Sequence, residues 1–265
     1  MTAERPVDHE ILSFARELAR IGGDTAMKWF RSTDLVAERK SDDSPVTIAD
    51  RTAEEAIRRA IATRYPDHGV LGEEFGGADA DRLPRWIIDP IDGTKSFVRG
   101  VPLFTTLVAY QNANGIGAGV IYAPATGEMV SAAPGDGAYD EEGRTVHVSS
   151  CGSIENAWVM TTDPVDLSRR EPGISRMLLE RAGAMRTWAD AYGYLLLARG
   201  AVDAMIDPIM SPWDIAPLSV IIREAGGVFS AIDGVIDDLG SSAVAASTPD
   251  LHRAIIAGRH DHGTY

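Results

Sequence analysis

The chain has 265 residues, 45% of them hydrophobic, and a formal net charge of −14, enough length and apolar content for one large domain or two moderate ones. That acidity argues against a nucleic-acid backbone or an anionic membrane as the main partner, because both repel a negative surface. A single cysteine, Cys151, excludes an intrachain disulfide and a thiolate zinc cluster. Residues 1–10 carry charges and a proline where a signal peptide needs an apolar core, and no apolar run approaches a membrane span. A soluble cytoplasmic protein is expected.

Apolar residues at three- and four-residue spacing (Ile11, Phe14, Ala15, Leu18, Ala19, Ala26) predict an amphipathic helix over 11–30. Thr47 is placed to cap a second helix running to about Arg64, with Asp50 in its first turn. Short strands follow at 70–72, 86–88, 104–110, 116–122 and 128–132, separated by turn residues, which predicts a meander behind the two helices. Beyond Ser150 the two kinds of element alternate. Strands are expected near 158–161, 185–187, 202–206, Val228 and Val244, and helices near 173–182, 191–199 and 215–224. The fold class is therefore α/β, with an α+β first lobe over 1–150 and an α/β second lobe over 151–265. No low-complexity linker or internal repeat separates them.

The stretch Trp86-Ile87-Ile88-Asp89-Pro90-Ile91-Asp92-Gly93-Thr94 carries the strongest chemical signal. Pro90 has a fixed φ and no N–H, so a turn between Asp89 and Asp92 is expected in place of a continuing ladder, with both acids facing one cation. Gly93 permits close backbone approach, and Thr94 is placed to cap a short helix whose N–H groups point at an anion. Further acids stand at Asp50, in Gly72-Glu73-Glu74 and in Trp213-Asp214. Taken singly, each reads as a solvated acid, a cap or a complement to a helix dipole. Together they form an oxygen-ligand set of the kind a hard cation such as Mg²⁺ shares with a substrate phosphate. An EF-hand starting at Asp89 fails, since Gly100 falls where a bidentate Glu is required. The Asp-x-Asp spacing of aspartyl-phosphate phosphatases is absent, as are a Gly-x-x-x-x-Gly-Lys loop and a His-Glu-x-x-His helix. Trp86 and Trp213 read as packing residues, and His260-Asp261-His262 as a frayed polar tail.

In order along the chain, Gly72-Glu73-Glu74, Trp86 to Thr94, and Trp213-Asp214 leading to Glu224-Ala225-Gly226-Gly227 resemble the motifs of the inositol monophosphatase superfamily. Lys40 and Val46-Thr47-Ile48-Ala49-Asp50 extend the resemblance over nearly the whole chain. It implies a layered αβαβα sugar-phosphatase fold, a homodimer, and a Mg²⁺-dependent phosphomonoesterase acting on a small phosphate ester with two ions, a third being left open. By the same resemblance Glu73, Asp89 and the Ile91 carbonyl hold one ion, and Asp89, Asp92 and Asp214 hold the other. Thr94, supported by Asp50, would orient the attacking water beside the ion held by Glu73. Asp92, Gly93 and Thr94 would meet the phosphate, with Glu74 and Lys40 lying behind the ligands.

Asp190-Ala191-Tyr192-Gly193-Tyr194 resembles the corresponding pattern of the histidinol-phosphate phosphatases in this superfamily, as do 72–77 and 95–100; Ala189 departs from the usual glycine. Carboxylates at Asp190 and Asp207 would pair with the ammonium or imidazole of histidinol phosphate. Asp190 also reads as the N-cap of the helix that follows. An inositol monophosphatase or another sugar phosphatase is the alternative substrate reading. A regulatory protein that binds metal and phosphate without catalysis is the alternative of another class.

Overall fold

The structure is a computed structural model that describes residues 8–33, 35–39, 45–77, 81–188 and 190–260. Lys40, Ala189, Asp261 and His262 fall outside the described residues. In chain order the elements are α1 (His9–Met27), β1 (Ala37–Arg39), β2 (Pro45–Thr47), α2 (Ile48–Arg64), β3 (Gly69–Gly72), β4 (Arg85–Asp92), α3 (Thr94–Val98), β5 (Thr105–Asn112), β6 (Gly115–Ala123), β7 (Glu128–Ala133), β8 (Gly137–Asp140) and β9 (Thr145–Val146). They continue with β10 (Trp158–Met160), α4 (Pro164–Arg170), α5 (Pro172–Arg181), β11 (Ala184–Arg186), α6 (Ala191–Ala198), β12 (Ala204–Asp207), α7 (Pro212–Glu224), β13 (Val228–Ser230), β14 (Ala243–Ala246) and α8 (Pro249–Ala257). Among the described residues no helix is long and apolar enough to cross a membrane.

Strands β3 to β9 form a seven-stranded sheet in sequence order, in which β3 pairs with β4 in parallel and the rest run as an antiparallel meander. The five-stranded second sheet has the order β11-β10-β12-β14-β13. Side-chain alternation explains the layering. Trp86, Ile88, Val108 and Val120 face α1 and α2, where they pack with Phe14, Leu18 and Ile57. Ile87, Leu107 and Ile121 point the other way, into a core shared with Leu195 of α6 and Leu218 and Ile221 of α7. Met160, Met205 and Ala245 of the second sheet close that same core. The opposite face of the second sheet presents Val159, Ile206 and Val244 to Leu178 and Leu251 of α5 and α8. Helices α6 and α7 thus lie between the sheets, giving the expected αβαβα stack.

Local chemistry sets the helix starts that matter for the site. Asp50 accepts the Thr47 backbone N–H at 2.7 Å and Thr47 Oγ1 accepts the Ala49 N–H at 3.0 Å, so the expected cap of α2 forms as a reciprocal box. In α7, Pro212 occupies the first turn and Asp214 accepts the Ser211 N–H at 2.8 Å. Asp214 is therefore the third residue of its helix and not the cap. Among the labelled elements β1, β2, β8, β9, α4 and α8 went unpredicted; they are short or border turns, and their periodicity is weak.

Around Pro90 the expectation is corrected. Strand β4 does not end in a turn at Asp89 but runs to Asp92, with a register shift against β5 between Asp89 and Asp92. Pro90 is tolerated because the β3 pairing stops at Ile88, so no neighbour on that side needs its missing N–H. Its carbonyl, turned out of the ladder, accepts the Thr106 hydroxyl at 2.9 Å. The bulge brings both acids to the same end of the sheet.

Candidate functional site: a carboxylate cluster beside an acidic pocket

Asp89, Asp92 and Asp214 each offer a carboxylate oxygen within 4.8 Å of the others. Asp89 is 2% exposed and accepts the Ile91 N–H at 3.0 Å. Asp92 Oδ2 accepts the Thr105 hydroxyl at 3.0 Å and the Ala191 N–H at 2.6 Å, so residues from β5 and from the start of α6 fix its rotamer. The cluster is crowded with like charge. Burial first, then the negative charges of Glu73, Asp92 and Asp214, push the Asp89 carboxyl well above its ordinary range. Asp92 is raised in the same way by burial and by Asp190 and Asp214. Asp214 is raised to about 7, mainly by burial. Oxygen donors gathered at this density match what a hard divalent cation requires.

Asp50 and Thr94 come together as expected. The Thr94 hydroxyl lies 3.2 Å from Asp50 Oδ1 and 3.0 Å from the Ile91 carbonyl oxygen. The other Asp50 oxygen accepts the Thr47 hydroxyl and N–H, both at 2.7 Å. Burial raises the Asp50 pKa despite these bonds. One expectation at this turn is corrected: α3 is preceded by Gly93 in the cap position, and Thr94 is its first residue, not its cap. The cause is the left-handed backbone of Gly93, φ 85°, which starts the helix one residue early. A Cβ at Gly93 would also lie 2.8 Å from an Asp190 carboxylate oxygen, so a side chain here would meet both strain and collision.

Beyond the cluster a pocket of about 330 Å³ is lined by Asp92, Asp214, Asp190, Asp207, Thr162, Tyr194, Ile209 and Met210 among others. Asp207, on β12, is buried and accepts the Thr162 N–H at 2.8 Å and the Tyr194 hydroxyl at 3.1 Å. Asp190 occupies the cap position of α6 yet makes no side-chain bond to the helix, so its carboxylate is left to the pocket. Its pKa is raised to about 6 by burial and by Asp207, with Lys95 opposing. Asp190 has a φ of 54°, a left-handed conformation that costs a non-glycine residue about 1 kcal/mol or more. Its N–H donates to Thr162 Oγ1 at 3.2 Å. Glu73 sits close enough for its charge to raise both Asp89 and Asp50, whereas Glu74 offers its backbone N–H to Glu54 at 2.8 Å.

Sequence reasoning missed Thr105, Thr162 and the acceptor role of Asp207 toward Tyr194. Only Tyr194 carried a signal, as part of the Asp190 to Tyr194 motif. Glu224, at the end of α7, accepts the Gly135 and Gly137 N–H groups at 2.9 Å each, which accounts physically for the acid in the Glu224-Ala225-Gly226-Gly227 segment.

A family model described as the inositol monophosphatase family matches residues 8–264. The histidinol-phosphatase of Chlorobaculum parvum is 39% identical, with 94% of this chain and 98% of that protein covered. The fructose-1,6-bisphosphatase/inositol-1-monophosphatase of Aquifex aeolicus is 34% identical, with 83% of each covered. In structure, the IMPase of Thermotoga maritima superposes with a TM-score of 0.85 at 30% identity, covering 94% of this chain and 96% of that one. With its αβαβα layers, its carboxylate cluster and these relatives taken together, the chain belongs to the inositol monophosphatase family, a family of phosphatases.

Proposed function

We propose that this protein is a Mg²⁺-dependent phosphomonoesterase whose preferred substrate is histidinol phosphate, acting as a homodimer. Glu73, Asp89 and the Ile91 carbonyl would hold one ion, and Asp89, Asp92 and Asp214 the second. When bound, Mg²⁺ supplies Lewis acidity at the phosphoryl oxygens and a water of lowered pKa. The chain's own residues do the rest. Asp50 Oδ1 takes the Thr94 hydroxyl proton in a hydrogen bond, which leaves the Thr94 oxygen lone pairs to accept a proton from the attacking water. That water forms the new P–O bond as the ester P–O bond breaks; its proton passes to Thr94 as the Thr94 proton passes to Asp50, which later releases it to solvent, and the leaving alkoxide takes a proton from solvent to give the alcohol and inorganic phosphate. Gly93 and Thr94 N–H groups would meet the phosphate oxygens. Residues 1–150 would supply most of the ligands, and residues 151–265 the last ligand and the specificity residues.

The observation that carries the substrate choice is the pocket lining, in which Asp190 and Asp207 join the cluster acids together with Ile209 and Met210. Two further acids mixed with apolar side chains suit a body that carries both cationic and aromatic groups, whereas a neutral polyol gains little from added negative charge. The name of the Chlorobaculum relative supports the same choice. Inositol phosphate is the second reading, favoured by the names of the Aquifex and Thermotoga proteins. A non-catalytic binding role would not need the hydrogen bond between Thr94 and Asp50. Phosphate release with Mg²⁺ should be at least tenfold more efficient, in kcat/KM, for histidinol phosphate than for inositol phosphate, about 1.4 kcal/mol in transition-state binding. Asp190→Asn should erase that ratio mainly by slowing the cationic substrate. A reversed preference in the unmodified protein overturns the assignment.

A further inference from the structure

Helix α2 carries a buried acid with no part in the chemistry described so far. Glu54, four residues after Asp50 and so on the same helical face, is 0% exposed. Its carboxylate accepts the Glu74 N–H at 2.8 Å and the Phe75 N–H at 3.3 Å, and Arg58 Nε donates to it at 2.8 Å. The second arm of Arg58 reaches the Gly76 carbonyl, which also accepts the Gly72 N–H at 3.1 Å. The hook between Gly72 and Gly76 is thus held by one Glu–Arg pair, Glu54 at its middle and Arg58 at its far end. The approach is close: a Cβ at Gly72 would fall 2.1 Å from a Glu54 oxygen. Glu73 lies inside this hook, with its own N–H on the Ile88 carbonyl at 3.2 Å.

We infer that Glu54 and Arg58 are positioning residues that fix the Glu73 loop in its cation-binding shape, so that α2 places both the Asp50–Thr94 pair and the Glu73 ligand from one rigid face. This rests on the reading of Glu73 as a metal ligand. A carboxylate that receives two consecutive backbone N–H groups holds a short loop more firmly than either bond alone, and its charge is balanced by Arg58, not by solvent. Removing either member frees the loop while leaving Glu73 itself intact.

Calorimetric titration of the metal-free protein with Mg²⁺ tests this in three variants. Glu54→Gln loses an acceptor where an N–H or the guanidinium must point, and Arg58→Gln loses the charge and the reach to Gly76. Each should weaken Mg²⁺ binding at least tenfold, while a cooperative thermal melt well above the assay temperature shows the metal-free variant still folded. At saturating Mg²⁺ their kcat should recover, with the loss appearing as a raised Mg²⁺ requirement. Unchanged Mg²⁺ affinity in either folded variant overturns the inference. Glu73→Gln is the control: if it too binds Mg²⁺ normally, the ligand reading has failed, and if it alone is impaired, only the positioning role has. Hydrogen exchange on the unmodified, metal-free protein provides a measurement that needs no variant. The Glu74 and Phe75 amides should be protected, and free exchange at both would overturn the inference by itself.

Discussion

Asp214→Asn should stabilise the metal-free protein while disabling it. In the cluster Asp214 is raised from 3.8 to about 7, first by burial and further by the charges of Glu73 and Asp190, against the pull of the Ser211 N–H. A raised acid binds its proton more tightly folded than unfolded. Its contribution therefore favours folding below the unfolded pKa and is lost as pH rises from about 4 through about 7. The full displacement corresponds to about 4 kcal/mol, and water in the adjoining pocket reduces this toward about 2 kcal/mol. Asparagine keeps the shape and can still accept the Ser211 N–H, but it carries no charge at any pH. At pH 8 the variant should melt between about 4 and 16 °C above the unmodified protein, at the 2 to 4 °C per kcal/mol usual for this size. At pH 5, above the unfolded pKa but below the folded one, only about a third of that penalty has set in, so the gap between the two should shrink to roughly a third of its pH 8 size. Mg²⁺ should raise the Tm of the unmodified protein at pH 8 and leave the variant nearly unmoved. Thermal melts with chelator, at both pH values, decide it. A variant less stable at pH 8, or equally shifted at pH 5 and 8, refutes the claim that charge crowding dominates this site.

Two further substitutions separate ligand charge from ligand orientation. Asp92→Asn keeps an oxygen able to accept the Thr105 and Ala191 donors, so the fold should survive by circular dichroism while kcat falls at least 100-fold, on the order of the loss of one charge-stabilising group; retained turnover would contradict the metal reading. Thr105→Val is nearly isosteric and removes only one bond to a charged oxygen, worth about 1.5 to 3 kcal/mol. A loss in kcat/KM of roughly ten- to 100-fold is expected, and a loss below threefold would mean that the Ala191 N–H alone orients Asp92.

Much of the site was legible because its acids sit at element ends that sequence rules mark well. Thr47 with Asp50 is a capping pattern, so that position followed from local chemistry alone, whereas the helix carrying Asp214 was expected only from Ile215 although Pro212 marks its start. Pro90 misled for the same reason. A local rule reads proline as the end of a strand, and only the knowledge that β3 stops pairing at Ile88 shows why the strand can pass through it. Thr105 and Thr162 were invisible because they act across the chain, Thr105 on Asp92 and Thr162 on Asp190 and Asp207. A lone threonine in a strand gives no sign of which carboxylate it will meet. The positive φ at Asp190 was likewise beyond reach, since aspartate carries no strong local preference for that backbone region.

On the proposed function, contacts at the two ends of α6 would tie substrate choice to chemistry. Helix α6 is pinned at its far end, where Arg199 donates to Glu128 at 3.0 Å and pairs with Glu141 on the first sheet. At its near end the Ala191 N–H grips Asp92 while the Asp190 carboxylate lies over Gly93. Between these two contacts Asp190 holds a φ of 54°, a backbone conformation costly for a non-glycine residue. The same peptide thus orients a cluster acid and aims a pocket acid. A substrate that draws Asp190 aside would disturb Asp92 directly, so binding of the wrong alcohol should lower turnover as well as affinity.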